Sequence, residues 1–403
     1  MTVTNAVTQA APLANARGRA LFSFSSESVA AGHPDKVCDQ TSDAILDTLL
    51  ADDPDPAKVR CAIETLATRD YLLIAGEYAS SRVWRDEDFA AVARSVLREL
   101  GYTDPSLGFH DGCRIDVRVQ KQSAEIAGQV SDGGAGDQGL MFGYACDQTR
   151  SRMPLPIDLA HQMVAGLDRA RVSGAVPGLR PDGKSQVTVR YDGRAPAEIE
   201  TIVLSVPHDP ALSKEELRAA LWREVALPIA SCCAVPLAPD LDGPASDRFI
   251  VNGAGVWHQG GPAADTGLTG RKIIVDTYGG WARHGGGAFS GKDATKVDRS
   301  AAYACRWVAK NLVAAGLARE AEVQVAYAIG YRHPVSVAVD TRGTGRIPDH
   351  ALASLVTARV DFSPPSIRDR FGLTRPIFRR TAAYGHFGRS AFPWEEIDES
   401  LFA

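Results

Sequence analysis

The chain has little of several residue types whose abundance would mark a special class of protein. Cysteine occurs 7 times in 403 residues, and no two cysteines form the CxxC pair that supplies half of many zinc sites. No apolar run approaches the roughly 18 residues that cross a bilayer, and the first twenty residues lack the unbroken apolar stretch of a signal peptide. We therefore expect reduced thiols and a soluble, cytoplasmic protein with no membrane partner.

An excess of positive charge is absent as well, since 44 Lys and Arg stand against 49 Asp and Glu and the formal net charge is −5. A chain without a basic field has no general means of capturing a nucleic-acid backbone, so we expect no nucleic-acid partner. Hydrophobic residues make up 45% of the sequence and charged residues 23%, which is the balance of an ordinary soluble globular protein. Any anionic ligand must therefore be bound by a local group of cations.

Several segments alternate apolar and polar residues with the period of two that is typical of a half-buried strand. Ile115–Val119, Val187–Tyr191 and Val323–Ile329 follow this pattern. Val59–Leu66 and Tyr71–Tyr78 are separated by a short turn and predict a hairpin. Half-buried strands interspersed with helices favour an α+β fold with mostly antiparallel sheets over a doubly wound parallel sheet.

Three helices are predicted from apolar spacing. The first begins at Pro34, a residue favoured at the first helical position, and ends at 52–54, where two aspartates precede a proline. The second spans Asp293–Leu317, with Gly316 as its cap. The third spans Ser213–Leu227.

The length predicts two or three domains at roughly 150 residues each, and breaks rich in glycine or proline at 128–139 and 253–262 favour three. The first twenty residues contain no acidic residue and little bulky apolar mass, so we expect them to be a disordered tail. The predicted division is a tail over 1–20, an N-terminal domain over 21–122, a central domain over 123–258 and a C-terminal domain over 259–403.

The strongest chemical signal is the glycine-rich segment Gly285–Lys292. Gly286, Gly291 and Lys292 satisfy the spacing of the phosphate-binding motif GxxxxGK, but Asp293 stands where that motif needs Ser or Thr, and no strand leads directly into it. The P-loop fold is therefore excluded. What remains is a loop whose backbone amides bind polyphosphate, with a structural turn as the alternative.

A second glycine-rich segment, Gly134–Gly139, satisfies GxGxxG without following a strand, so a nicotinamide site is excluded. The preceding residues 123–135 are expected to form a mobile loop that closes over a ligand. A passive linker is the alternative.

Cationic and imidazole side chains recur beside predicted helix starts, strand starts and glycine-rich turns: His33, Lys184, Arg271, Lys272, Lys292 and Lys296. Arg271 and Lys272 directly precede Ile273–Val275, which we interpret as a short apolar strand. If these groups meet in the fold, they form a polyphosphate site. Asp35 and Asp298 are then candidate magnesium ligands, because Mg²⁺ takes one or two carboxylates together with phosphate oxygens and water.

Several short sequence motifs of the chain together resemble those of the S-adenosylmethionine synthetase (methionine adenosyltransferase) family over about residues 22–394. The strings that carry the resemblance are GHPDK at 32–36, GAGDQG at 134–139, GLTGRK at 267–272, DTYGG at 276–280, GGGAFSGK at 285–292, KVDRS at 296–300 and TAAYGHFGR at 381–389. The resemblance implies three similar α/β-sandwich-type domains in a pseudo-threefold arrangement. It also implies self-association as a dimer or tetramer, with active sites at the subunit interface.

The implied reaction joins ATP and L-methionine. The methionine sulfur attacks the ribose 5′ carbon, tripolyphosphate leaves, and the enzyme hydrolyses it to pyrophosphate and phosphate. Two Mg²⁺ ions and one K⁺ ion per site are implied as cofactors. A neutral thioether nucleophile needs no general base, which agrees with a sequence rich in candidate anion binders and without a nucleophile triad.

The resemblance also assigns site residues by motif. The catalytic set is His33, Lys184, Arg271 and Lys292. ATP contacts are assigned to His33, Asp182, Gly183, Lys184, Val256, Trp257, Asp265, Arg271, Lys272, Ala288 and Lys292. Methionine contacts are assigned to Glu77, Gln122, Asp137, Asp265, Lys296 and Ile329. Metal ligands are Asp35 and Asp298 for magnesium and Glu64 for potassium.

One segment departs from the family pattern. Residues 252–262 read NGAGVWHQGGP, where the family usually has NPTGRFVIGGP beside the adenine. Trp257 keeps a flat aromatic surface, but Val256 removes a guanidinium, and His258 with Gln259 introduces polar groups. We therefore expect altered nucleotide affinity or specificity at this edge.

Two alternatives to the standard synthetase follow from this departure. A paralogue acting on a different nucleotide or methionine analogue would keep the phosphate-binding residues and change the pocket rim. A non-catalytic partner subunit would instead lose catalytic charges, yet His33, Lys184, Lys292 and Asp298 are all present.

Overall fold

Three β-sheets organise the chain, which a computed structural model describes over residues 21–122 and 133–402. The predicted tail over 1–20 and most of the predicted mobile loop over 123–135 lie outside the described residues. Among the described residues, no helix is long and apolar enough to cross a membrane.

The strands belong to sheets of four, three and four members. Their bounds are β1 Leu21–Val29, β2 Arg60–Thr68, β3 Tyr71–Ala79, β4 Arg114–Lys121, β5 Gly139–Cys146, β6 Lys184–Asp192, β7 Ala195–Ser205, β8 Phe249–Val251, β9 Gly267–Leu268, β10 Glu320–Tyr327 and β11 Ser336–Asp340. The strand orders are β1-β6-β7-β8, β11-β10-β5 and β4-β3-β2-β9.

Helices pack against strands of all three sheets. Their bounds are α1 Pro34–Asp52, α2 Asp86–Leu100, α3 Leu155–Ser173, α4 Lys214–Leu221, α5 Leu227–Ser231, α6 Ile273–Asp276, α7 Val297–Ala314, α8 Asp349–Arg359 and α9 Pro364–Phe371. A π-helical turn over Trp222–Ala226 joins α4 to α5.

Most neighbouring strands run antiparallel. Within the described residues, β3 pairs with β4 and β7 with β8 in parallel, and the other paired strands are antiparallel. The predicted hairpin is β2 and β3, with Arg60 opposite Ala79 and Thr68 opposite Tyr71. The predicted three-domain α+β fold with mostly antiparallel sheets is confirmed.

Each sheet takes one strand from a distant part of the chain. β1 lies on β6, where Val29 is opposite Lys184; β5 lies on β10; and β9 lies on β2, where Leu268 is opposite Leu66. These pairings bring residues from different predicted domains side by side. The boundaries of those domains along the chain stay a prediction.

Two helices are buried along most of their length. α1 packs against α2 and β2, and α7 packs against β5 and β10. Apolar burial stabilises these contacts, but both helices also carry buried charges, which must be paired if the fold is to tolerate them. Those pairs set up the candidate site described below.

The structure corrects three predicted elements. Ile273–Val275 is not a strand: it belongs to α6, a single helical turn in which the Asp276 amide donates to the Lys272 carbonyl at 2.8 Å. The predicted helix over 293–317 instead spans Val297–Ala314, and Asp293 precedes it, with its backbone amide donating to the Cys61 carbonyl of β2. The predicted helix over 213–227 continues through the π-helical turn to Ser231.

A glycine in β5 permits the contact between its sheet and α7. A Cβ atom on Gly143 would lie 2.0 Å from the Cys305 carbonyl carbon and 2.1 Å from the Arg306 nitrogen, both of which are backbone atoms. We expect Gly143→Ala to lower the free energy of unfolding by about 1–3 kcal/mol or more, because a helix must move to make room. Urea denaturation measures this change. Gly243→Ala is the matched control, since a Cβ there meets nothing within 4 Å. Equal stability of the two variants would contradict the packing argument.

Candidate active site

A row of aspartates along α1 receives backbone amides from other parts of the chain. Asp35 and Asp39 are one helical turn apart, so they share a face. The Leu268 amide donates to Asp35 Oδ1 at 2.9 Å, and the Gly270 amide donates to Asp39 Oδ1 at 2.8 Å. The segment that carries Arg271 is thereby fixed beside the start of α1.

The same row continues for two further turns with Asp43 and Asp47. The Gly291 amide donates to Asp43 Oδ1 at 2.8 Å, which fixes the end of the glycine-rich segment. The amides of Phe378 and Arg379 donate to Asp47, each at 2.9 Å. We call Asp35, Asp39, Asp43 and Asp47 the aspartate row.

The first charge cluster surrounds the N-terminus of α1 and consists of His33, Asp35, Lys184, Arg271 and Lys272. His33 is the N-cap residue, and its Nδ1 accepts a hydrogen bond from the Asp35 amide at 3.2 Å. Only 2% of His33 is exposed. Burial, reinforced by the charges of Lys272 and Lys184, lowers the pKa of His33 to about 3 despite the opposing effect of Asp35. The imidazole is therefore neutral near pH 7, with its proton on Nε2.

Asp35 in this cluster is an ion-paired carboxylate. Lys272 Nζ lies 2.5 Å from Asp35 Oδ2, and Arg271 Nε lies 3.5 Å from Asp35 Oδ1. Burial by itself would raise the pKa of Asp35, but the hydrogen bonds from Lys272 and the Leu268 amide outweigh it, so the pKa is lowered. The cluster thus holds one anion and several cations at a helix N-terminus, which itself favours anions.

Asp182 and Gly183 lie beside this cluster because β6 begins next to the end of β1. Asp182 accepts hydrogen bonds from the amides of Gly183 at 2.7 Å and Gly261 at 2.8 Å. Burial raises the pKa of Asp182 to about 6, and the charge of Asp265 acts in the same direction. Asp182 and Gly183, two of the predicted ATP-binding residues, therefore lie near His33. Lys184, which follows them at the start of β6, lies there as well.

The second charge cluster consists of Lys292, Asp293, Lys296 and Asp298 at the start of α7. Lys292 Nζ lies 2.6 Å from Asp298 Oδ2, and Lys296 Nζ lies 2.6 Å from Asp293 Oδ2. Asp298 packs on Gly287, where a Cβ atom would lie 2.1 Å from its Oδ1. The glycine-rich segment therefore lets a carboxylate approach the backbone closely.

Three further predicted residues lie around these clusters. Ala288 adjoins the segment of the first cluster, since a Cβ on Gly270 would lie 2.5 Å from the Ala288 Cβ. The exposed Asp137 follows Gly136, whose amide donates to the Thr295 carbonyl at 3.3 Å, next to the second cluster. Ile329 is 54% exposed and precedes the turn that bonds Ala135.

Other predicted contacts lie on β2–β4, and β2 adjoins the second cluster, since Ala62 pairs with Glu77 on one side and forms a β-bridge with Lys292 on the other. Glu64 is exposed on β2, and Glu77 of β3 accepts a hydrogen bond from Gln120 at 3.3 Å. Gln122 follows β4, and its amide donates to the Tyr78 carbonyl. Within 21–122 and 133–402, no side-chain hydrogen bond or ion pair joins the first charge cluster to the second, and no three His, Cys, Asp or Glu side chains converge as a metal cage.

Segment 252–262 differs in sequence from the family pattern, and the structure explains part of this difference. His258 Nδ1 donates to the His208 carbonyl at 3.0 Å, and the two rings meet edge to face at 5.0 Å between centroids. The Trp257 indole N–H donates to the Gln259 carbonyl at 2.7 Å. Val256 is 66% exposed. The Gln259 side chain accepts from Arg69 and donates to the Leu107 carbonyl, each at 3.4 Å, so both polar side chains tie the segment to its neighbours.

Sequence reasoning missed most of the residues that hold the clusters in place. Among them are Asp39, Asp43 and Asp47, although their four-residue spacing is visible in the sequence. Lys36, which ends the GHPDK string, forms ion pairs with Asp39 at 2.8 Å and with Asp276 at 2.5 Å.

The fold and the two charge clusters, which together hold five lysine or arginine side chains, are suited to an enzyme that handles a polyphosphate. Models of the S-adenosylmethionine synthetase family match the chain in three consecutive parts: its N-terminal domain over residues 21–124, its central domain over 132–255 and its C-terminal domain over 259–396. The chain therefore belongs to the S-adenosylmethionine synthetase family and is an ATP-dependent methionine adenosyltransferase.

The neutral state of His33 is open to a spectroscopic test. Because the folded pKa of about 3 lies below the ordinary 6.5, the unfolded chain binds the extra proton between these values. The stability contributed by neutral His33 is therefore present above about pH 6.5 and is lost as the pH falls through this window. Nitrogen-15 NMR of the imidazole should show a neutral, Nε2-protonated ring at pH 5. His333, which is exposed, is the internal control. Titration of the assigned His33 signal near pH 6.5 would contradict the assignment.

Proposed function

We propose that the chain synthesises S-adenosyl-L-methionine from ATP and L-methionine and hydrolyses the released tripolyphosphate to pyrophosphate and phosphate. The observation that carries this proposal is the pairing of a carboxylate with a lysine in each charge cluster: Asp35 with Lys272 at 2.5 Å, and Asp298 with Lys292 at 2.6 Å. Each cluster therefore offers both a cation for phosphate oxygens and a carboxylate for a divalent metal.

His33 would act on the leaving oxygen of the ribose 5′ carbon. Its Nδ1 is occupied by the Asp35 amide, so its Nε2–H is the group available to donate a hydrogen bond to that oxygen. A neutral donor also avoids repelling the neighbouring cations Lys184 and Lys272 before substrate binds. The methionine sulfur attacks as a neutral nucleophile, so no side chain has to remove a proton from it.

The remaining catalytic effect is electrostatic. Lys184, Arg271, Lys272 and Lys292 would bind the tripolyphosphate as its charge develops. At an effective dielectric constant of about 20, one cation about 4 Å from a unit charge contributes up to about 4 kcal/mol before desolvation. Several such cations can supply much of the roughly 8–23 kcal/mol by which enzymes lower barriers.

Asp35 and Asp298 fit magnesium as isolated hard oxygen ligands, since Mg²⁺ takes one or two carboxylates and completes its shell with phosphate oxygens and water. When bound, the two metal ions would neutralise charge on the polyphosphate. Lys272 and Lys292 would then exchange their carboxylate partners for phosphate oxygens. Glu64, exposed on β2, offers a carboxylate oxygen for potassium.

The substrate-binding residues would be completed by a second copy of the chain. Among the described residues, no side-chain hydrogen bond or ion pair joins the two charge clusters of one chain. A dimer, alone or paired into a tetramer, would place the first cluster of one copy against the second cluster of the other. The predicted methionine contacts Glu77, Gln122, Asp137, Lys296 and Ile329, and Asp265 near the ribose, belong to this interface.

A paralogue with altered nucleotide or methionine-analogue specificity is the second candidate. It is favoured by the exposed Val256 at the position where the family usually has arginine. Trp257 remains a surface for stacking a base in either case.

The purified protein should form S-adenosylmethionine from ATP, L-methionine, Mg²⁺ and K⁺, with phosphate and pyrophosphate in equal amounts. Mass spectrometry detects the product, and phosphate assays with and without pyrophosphatase count the two anions. Reactions with other nucleoside triphosphates and with ethionine test the second candidate. Absence of product from ATP in a folded protein that binds ATP would contradict the proposed function.

Lys292→Ala should lower turnover by about 100-fold or more, the scale of removing one preorganised charge-stabilising group. The fold should remain, because Lys292 is partly exposed and its ion pair is with Asp298 alone. Steady-state kinetics and circular dichroism measure the two effects. Lys58→Ala is the control, since Lys58 is exposed and pairs with the exposed Asp55. Normal turnover in the Lys292 variant would refute the site assignment.

A further inference from the structure

A buried chain of polar side chains connects the start of α1 to the glycine-rich segment. Its members, which we call the His386 chain, are Lys36, Asp276, His386, Tyr303, Arg299 and Asp43. All of them are buried. None belongs to the two charge clusters, and the proposed reaction assigns no role to any of them.

The first half of the chain runs from α1 to the imidazole. Lys36 Nζ donates to Asp276 Oδ1 at 2.5 Å. The His386 amide donates to the Asp276 carbonyl at 2.9 Å, and His386 Nε2 lies 3.8 Å from Asp276 Oδ1.

The second half runs from the imidazole to the glycine-rich segment. The Tyr303 hydroxyl lies 2.7 Å from His386 Nδ1, and Arg299 Nε donates to that hydroxyl at 2.9 Å. Arg299 forms a two-bond ion pair with Asp43 at 2.6 and 2.7 Å. Asp43 in turn accepts the amide of Gly291.

The direction of these hydrogen bonds follows from the chemistry of the groups. Arg299 can only donate, so the Tyr303 oxygen accepts from it. In the tautomer in which the Tyr303 hydroxyl donates to His386 Nδ1, the imidazole proton is on Nε2, 3.8 Å from Asp276 Oδ1. Within the described residues, His386 Nε2 is buried without a hydrogen-bond partner. The imidazole is therefore held from one side and aligned with the carboxylate on the other.

Both ends of the His386 chain contact the backbone segments that carry the charge clusters. Lys36 pairs with Asp39 as well as with Asp276, and Asp39 accepts the amide of Gly270 immediately before Arg271. At the other end, Arg299 Nη1 donates to the Lys292 carbonyl at 3.2 Å. The His386 chain thus anchors the backbone segment that carries each charge cluster.

We propose that Tyr303 and His386 are positioning residues that fix, within each copy of the chain, the backbone segments of both charge clusters, so that each copy presents its first cluster to one active site and its second cluster to the other; this inference rests on the proposed function. Apolar packing alone does not require the hydroxyl, because the Tyr303 ring already stacks on Trp394 with 3.8 Å between centroids. A buried polar chain is tolerated only when its members are mutually paired, and such pairing selects one arrangement of the segments it joins.

Tyr303→Phe tests the proposal by removing only the hydroxyl. The matched control is Tyr144→Phe, because the Tyr144 hydroxyl is also buried, accepts from the Trp281 indole at 3.0 Å and donates to Glu320 at 2.7 Å. The measurements are kcat and KM for synthesis, the rate of hydrolysis of added tripolyphosphate, and the thermal midpoint of each full-length variant.

We expect Tyr303→Phe to lower kcat and tripolyphosphate hydrolysis by about 10-fold or more, since small misplacements of binding groups cost 10- to about 100-fold. KM for methionine should change little. Tyr144→Phe should keep both rates while losing comparable thermal stability. Equal rates in the two variants, with an active wild type, would overturn the proposal.

His386→Asn is the second variant, and it decides the matter if Tyr303→Phe does not fold. Asn keeps an acceptor for the Tyr303 hydroxyl and removes the ring nitrogen that faces Asp276. We expect the same loss of both rates, and wild-type rates in this variant would also overturn the proposal. An inactive wild-type protein would instead refute the proposed function, so the two failures are distinguishable.

Discussion

The aspartate row of α1 is the constraint on which the candidate site depends. Four carboxylates spaced one helical turn apart each accept at least one backbone amide from a segment far away in the chain. A buried carboxylate needs such donors, because an unpaired charge in the interior is costly. The helix thereby fixes the segments around Leu268, Gly270, Gly291 and Phe378 in a defined order along its axis. The two charge clusters are placed by this order.

The two clusters share one arrangement of charges. Each holds a carboxylate within 2.6 Å of a lysine, so the charges are partly compensated within each cluster. The neutral His33 is part of the same arrangement, since burial and two nearby lysines keep its pKa low.

The sequence pattern predicted those helices and strands that are specified by residues close together in the chain. The β2–β3 hairpin follows from alternation, and α1 follows from Pro34 and the break after Asp52. The prediction of a strand over Ile273–Val275 was wrong. The isoleucines are β-forming residues, which favoured a strand, but the ion pair of Asp276 with Lys36 stabilises the helical turn α6. Tyr303 and His386 gave no separate signal: a tyrosine within the apolar spacing of α7 is indistinguishable from core until its hydroxyl partner is known.

The sequence by itself determined the chemistry of this protein: the kinds of side chain, the glycines that permit close approach, and the motifs of the synthetase family. These are properties of short segments, and they do not depend on how the segments meet. The tertiary structure alone decided which groups became partners. Exchange of strands between the sheets brings Lys184 beside the end of β1, and burial decides that His33 is neutral. Both effects arise from contacts between distant segments, which no local pattern encodes.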